Sequence, residues 1–367
     1  MPRDRFAERR QKLIGDLKPT QVEALLVTNF TNVSYLTGFS GDSSYLLIGR
    51  RHTILISDGR YEIQIADECP GLEVYIRPPS EKIENAAGKV LTSAKLKKVG
   101  IESDSVTVAQ LEKFKELAPA AEFVSQEGLV ENQRQIKDAV ELAEIQTAIR
   151  QAERGFAVLR ASLRGDQTER QVAHDLEHTM RAFGAKNAAF EPIVGVGARA
   201  ALPHGRPSHA RISDADFVLV DWGSEATSGY RSDLTRVLVT GRLSPKLEKV
   251  YRLVLEAQRV GIAALRPGAK CCDVDAAARK VIADAGFGKH FNHGLGHGIG
   301  LDIHEGPRLS ATSDAELKPG MIVTVEPGIY LPKWGGVRIE DDVLITADGP
   351  QMLTSVPKAW EDAVQIV

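Results

Sequence analysis

The chain has 367 residues, 43% of them hydrophobic and 26% charged, with a formal net charge of −3. That length accommodates two or three domains and a large buried core, and the composition excludes collagen-like, disordered and membrane-embedded classes. The balance of charge shows no basic excess of the kind that nucleic acid or an anionic membrane calls for, so neither is expected as a partner.

The three cysteines, Cys69, Cys271 and Cys272, form no even-numbered disulfide framework. The stretch Met1 to Leu13 carries charges throughout without an apolar signal core, and no segment reaches the ~18 apolar residues of a membrane span. The expected compartment is the cytoplasm.

In chain order, strands are expected at Val22 to Thr28, Ser44 to Ile48 and Thr53 to Ser57, with Gly41-Asp42 as turn chemistry between the first two. Lys97 to Ile101 and Glu122 to Val124 read as further strands, with a helix at Val108 to Leu117 between them. Together these predict a small α/β domain over residues 1–130.

From Ile136 the pattern becomes helical. Ile145, Ile149, Ala152, Phe156 and Leu159 fall on one face. Thr168 and Gln171 form a capping-box pair ahead of Val172, Leu176 and Met180, and Ser244-Pro245 opens a third helix that runs to Leu265. A fourth is expected after Asp273. Strands are expected at Phe217 to Asp221, Asp233 to Thr240, Ile322 to Glu326 and Val337 to Thr346. Residues 131–367 therefore predict an α+β catalytic domain with a largely antiparallel sheet.

The chemistry-bearing residues lie at the ends of these strands. Polar Ser224 to Gly229 predicts a hairpin centred near Thr227, which would set Asp221 directly opposite Asp233. Opposed like charges repel unless a cation lies between them, and Asp221 ends an apolar run where an unpaired carboxylate is costly. A second hairpin, centred near Pro332 or Lys333, would face Glu326 with Glu340. Two such carboxylate pairs side by side suit two divalent ions. The run from Asn292 to Glu305 adds His293, His297 and His304 among closely spaced glycines, which let backbone approach a site.

These residues resemble the pita-bread-fold metallopeptidases, specifically the Xaa-Pro dipeptidases (prolidases) and Xaa-Pro aminopeptidases. The segments Val27 to Ser40 and Asp58-Gly-Arg-Tyr61 are similar to the creatinase-like N-terminal domain of that family, and Arg134 to Asp138 to its domain junction. The resemblance implies two divalent ions, manganese first, with cobalt, zinc or iron tolerated. It implies that Asp221 binds one ion, His297 and Glu326 the other, and that Asp233 and Glu340 bridge. It further implies catalytic roles for His204, His304 and Glu326, and a proline-ring pocket at Phe190, His293 and Arg338. Arg338 is open to two readings, support for Glu340 or pairing with a substrate carboxylate.

The activity implied is hydrolysis of the bond between an N-terminal residue and proline in a peptide, by a homodimer. Two alternatives are a catalytically inactive binding protein of the same fold and a metal-independent creatinase-like amidinohydrolase. Trp222, Val237 and the Ser224 to Thr227 connection depart from the family pattern in ways that bear on specificity, since none removes a ligand.

Overall fold

The structure, a computed structural model, describes residues 4–366. The first residues of the charged stretch Met1 to Leu13, and Val367, lie outside the described residues. The chain divides into two compact units, Met1–Arg134 and Gln135–Val367. The boundary falls slightly beyond the expected division at 130/131.

In the first unit six strands run in the order Glu73–Arg77, Thr53–Asp58, Tyr45–Gly49, Ala24–Val27, Lys98–Glu102 and Glu122–Gln126. The Thr53, Tyr45 and Ala24 strands pair antiparallel, and the others join parallel. Ala24–Val27 and Tyr45–Gly49 are buried at every position, as strands covered on both faces must be. Between these two strands the sequence suggests only a turn, but the structure places the helix Phe30–Thr37 there. Its residues favour strands intrinsically. The Asn29 side chain caps the Thr31 N–H, Gly38 ends the helix at φ 82°, and Val33 and Leu36 are buried, so capping and tertiary packing override propensity.

The second unit has four long helices, Ala139–Ser162, Glu169–Ala182, Pro245–Ala264 and Cys271–Asp284. The Thr168–Gln171 capping box is present, and Ile145, Ile149, Ala152, Phe156 and Leu159 are all buried. The last helix begins at Cys271, ahead of Asp273, which sits in its first turn without capping it.

Every strand ladder in this unit is antiparallel. The strand Phe217–Trp222 pairs with Leu234–Val239 on one side and Ile193–Val196 on the other. Its residues alternate between two cores: Phe217 and Leu219 join the helices Pro245–Ala264 and Cys271–Asp284, whereas Val218, Val220 and Trp222 join the other helix pair. Asp221 belongs to the first of these faces. A second sheet carries Glu305–Leu309, Gly296–Gly298, Ile322–Val325, Asp341–Thr346 and Gly349–Met352. Among the described residues no helix is long and apolar enough to cross a membrane.

Candidate active site

The first hairpin differs in register from the sequence expectation. Asp221 pairs with Thr235, and Leu234 with Trp222, so Asp221 and Asp233 are not directly opposed. The offset is two residues along the strand, which keeps Asp233 on the same face as a diagonal neighbour. In the second hairpin Val325 pairs with Asp341 and Gly328 with Arg338. The expected strand Val337 to Thr346 is broken there into Gly335–Arg338 and Asp341–Thr346, which join different partners. Glu326 and Glu340 occupy the break, where the Glu326 N–H donates to Leu295 O at 2.8 Å and the Glu340 N–H to Thr235 O at 3.2 Å.

His297 reaches the same place from the strand Gly296–Gly298. A Cβ on Gly296 would lie 2.0 Å from Thr324 O and one on Gly298 2.0 Å from Gly306 O, so only glycine permits these approaches. The segment leading in is held by Arg279, which donates to the carbonyls of Phe291 (2.8 Å) and His293 (2.7 Å) and pairs with buried Asp275. Asp275 in turn accepts from the Leu295 N–H at 3.0 Å. The His297 Nδ1 lies 3.0 Å from Gly298 O, an acceptor only, so Nδ1 carries the proton and Nε2 the lone pair. That Nε2 lies 3.4 Å from Glu326 Oε1 and 3.7 Å from Asp233 Oδ2.

Donor atoms of Asp233, His297 and Glu340 all lie within 4.8 Å of one another. Burial pushes the carboxyls of Asp221, Asp233 and Glu340 above their usual range and that of Glu326 up to about 8, and repulsion from neighbouring acids adds to the rise at Asp233, Glu326 and Glu340. Burial lowers His297 to about 4. Asp221 Oδ1 and Glu340 Oε1 are buried and have no hydrogen-bond partner among the described residues. Clustered acids, a lone-pair imidazole and orphaned oxygens fit divalent cations, which would replace the missing partners and cancel the repulsion.

All the candidate residues share one cleft of about 440 Å³: Phe190, His204, Asp221, Asp233, His293, His297, His304, Glu326, Arg338 and Glu340 line it. His204 and His304 are exposed at its mouth, and the His304 ring meets His297 edge-on with centroids 4.4 Å apart. A larger groove of about 720 Å³ adjoins at Phe190 and Arg206 but holds none of the carboxylate cluster.

Sequence reasoning missed several residues. Thr235 and Tyr330 bond Arg338, Thr324 Oγ1 accepts from the His297 N–H, and Asp342 accepts from the Asp233 N–H. Arg308 also lines the cleft, exposed and making no ion pair among the described residues. Its charge helps to hold His304 and His297 neutral. By contrast Arg338 is buried and directs Nε, Nη1 and Nη2 to Thr235, Tyr330 and Asp221. Trp222 stacks on Phe156 at 4.1 Å and donates to Ala152 O, on the face away from Asp221.

An antiparallel two-hairpin fold that gathers four acids and an imidazole in one cleft, preceded in the chain by an α/β unit, defines the pita-bread class of metallopeptidases. The model of metallopeptidase family M24 matches residues 143–347, and that of the creatinase/prolidase N-terminal domain residues 9–136. The chain belongs to metallopeptidase family M24 and is a hydrolase. It is 38% identical over 351 residues to an uncharacterized peptidase, YqhT, of Bacillus subtilis, covering 96% of this chain and 98% of that one. It is 36% identical over 357 residues to an Xaa-Pro dipeptidase of Pyrococcus horikoshii, covering 97% and 99%. Among solved structures, an Xaa-Pro dipeptidase from Bacillus anthracis superposes with a TM-score of 0.92 at 36% identity, covering 96% of this chain and 99% of that one. An X-Pro aminopeptidase from Thermotoga maritima superposes at 0.87 with 33% identity, covering 98% and 100%. Membership of this family implies divalent metal ions.

Proposed function

We propose that the chain is a dinuclear metal-dependent exopeptidase that hydrolyses the bond between an N-terminal residue and proline, with dipeptides as its substrates. The carrying observation is that one cleft joins the acid–imidazole cluster, with its orphaned Asp221 Oδ1 and Glu340 Oε1, to a wall of Phe190 and His293. In this reading Asp221 would hold one ion and His297 and Glu326 the other, with Asp233 and Glu340 contributing to both, and manganese would be the first choice. Bound divalent ions supply Lewis acidity and lower the pKa of coordinated water from ~15.7 towards ~7.

The chain's own groups do the rest. Glu326 takes a proton from the attacking water and returns it to the leaving nitrogen. His204 and His304 donate hydrogen bonds to the carbonyl oxygen as it gains charge. The scissile bond to proline is a tertiary amide without an N–H, so recognition rests on the proline ring. Both nitrogens of His293 are engaged, Nδ1 with Gly294 O at 2.8 Å and Nε2 with Tyr330 OH at 2.9 Å, so it offers the ring a flat surface.

The substrate carboxylate is assigned to Arg308 rather than Arg338. Arg308 is exposed in the cleft and makes no ion pair among the described residues, whereas Arg338 already serves three protein acceptors. A second reading, cleavage of longer peptides, is favoured by the adjoining groove, which offers space for residues beyond proline. We place the enzyme in the cytoplasm as a homodimer, the former because its cysteines are free. Light scattering tests the dimer.

The deciding experiment is metal analysis followed by kcat/KM on Ala-Pro, Ala-Ala and Ala-Pro-Ala, in wild type and Arg308→Ala. Ala-Pro should lead Ala-Ala by about 10–200-fold, and Arg308→Ala should raise KM for Ala-Pro by roughly 10–100-fold. Equal rates on Ala-Pro and Ala-Ala refute proline selectivity, and preference for Ala-Pro-Ala selects the aminopeptidase reading.

A further inference from the structure

The hydrogen bonds that converge on Arg338 have fixed directions. Arginine only donates, and Gly294 O only accepts. His293 therefore keeps its proton on Nδ1, and its Nε2 accepts from Tyr330, whose oxygen accepts from Arg338 Nη1 at 2.7 Å. On the other side Arg338 Nε donates to Thr235 Oγ1 at 3.0 Å, which directs the threonine hydroxyl hydrogen to Glu340 Oε2 at 2.6 Å. Arg338 Nη2 donates to Asp221 Oδ2.

Two of the three branches from Arg338, through Thr235 and directly from Nη2, end on one oxygen of a carboxylate. The other oxygen of each, Glu340 Oε1 and Asp221 Oδ1, is buried without a hydrogen-bond partner among the described residues. We propose that Thr235 is a positioning residue that, clamped by Arg338, pins one oxygen of Glu340 so that the other faces the metal ions. This rests on the metal-ligand reading of Glu340 and Asp221. A carboxylate with both oxygens free turns about its last carbon–carbon bond, and ordering it would weaken binding; one pinned oxygen removes that freedom. The hydroxyl is essential to the argument because it accepts from Arg338 and donates to Glu340 at once. Valine has nearly the same shape and does neither. Serine does both.

The test is calorimetric titration of Mn²⁺ into the chelator-stripped full chain for wild type, Thr235→Val and Thr235→Ser, with visible spectra of the Co²⁺-loaded forms. Thr235→Val should lose about 10–100-fold in Mn²⁺ affinity and show an altered Co²⁺ spectrum, and Thr235→Ser should restore both. Should Thr235→Val fail to fold, as judged by circular dichroism of the stripped protein, Thr235→Ala is measured against the same criteria. Unchanged affinity and spectrum in the hydroxyl-free variant overturn the proposal. So does a loss in Thr235→Ser equal to that in the hydroxyl-free variant, because packing is then responsible. A wild type that binds no Mn²⁺ overturns the metal reading itself, a result distinct from either.

Discussion

The two hairpins bring their acids to the cluster by different routes. In the first, Phe217–Trp222 and Leu234–Val239 form one unbroken ladder, and Asp221 and Asp233 sit at its end as diagonal neighbours. In the second, the ladder is interrupted between Val325–Asp341 and Gly328–Arg338, and Glu326 and Glu340 stand in the gap. The unbroken ladder fixes its acids through strand register and backbone. The broken one leaves the Glu326 and Glu340 N–H groups bonded outside the hairpin, to the carbonyls of Leu295 and Thr235, and side-chain bonds from Thr324 and Thr235 orient their carboxylates. Placement by ladder register and placement by side-chain bonds thus meet in one cluster.

Asp233→Asn should break the side placed by register and abolish hydrolysis, because a neutral amide at the shared position weakens the hold on both ions. Assay and metal content together check it, and near-normal turnover at full metal content would sink the assignment. Glu326→Gln should be milder: kcat falls by roughly 10²–10⁴-fold while most of the metal stays, since the group removed carries the proton. Equal metal loss in the two variants would erase the distinction between the hairpins.

The pH dependence of stability sharpens the comparison further. Burial raises the Glu326 carboxyl from 4.5 to about 8 in the metal-free protein, and Asp233 and Glu340 move the same way. A raised folded pKa means that the stabilising protonated form is complete below the unfolded value and is lost as pH rises through the folded one. The chelated protein should therefore melt at progressively lower temperature from about pH 4.5 to about pH 8, and the Mn²⁺-loaded protein should not. Parallel melting curves for the two forms would count against ions at this cluster. The smallest effect on catalysis is expected for Trp222→Phe. It removes the bond to Ala152 O and some packing, about 1–3 kcal/mol of stability, yet leaves kcat/KM on Ala-Pro unchanged because the ring lies on the face away from Asp221.

Much of this was legible in the sequence where local rules decide. Capping at Thr168, the proline at Pro245 and the apolar face from Ile145 to Leu159 each carry their own signal. Helix Phe30–Thr37 was not read, because its composition favours a strand and it takes the Asn29 and Gly38 caps together with burial to tip the balance. The register of the first hairpin was misjudged by two residues without harm to the site, since side chains alternate with period two. That same period could have found Thr235, two residues beyond Asp233 on the same face. Tyr330 and Arg308 had no such signal: a phenol and an arginine acquire their roles only once the strands are assembled.

The Asp275–Arg279 clamp ties the approach to His297 to a helix, in addition to the bond from the Glu326 N–H to the Leu295 carbonyl. Opening of Cys271–Asp284 alone would therefore slacken the imidazole while the acids on the hairpins stay in place. Exchange of the Leu295 amide hydrogen, which Asp275 holds, becomes a clock for the lifetime of the intact cleft, and release of an ion from the histidine side should keep time with it.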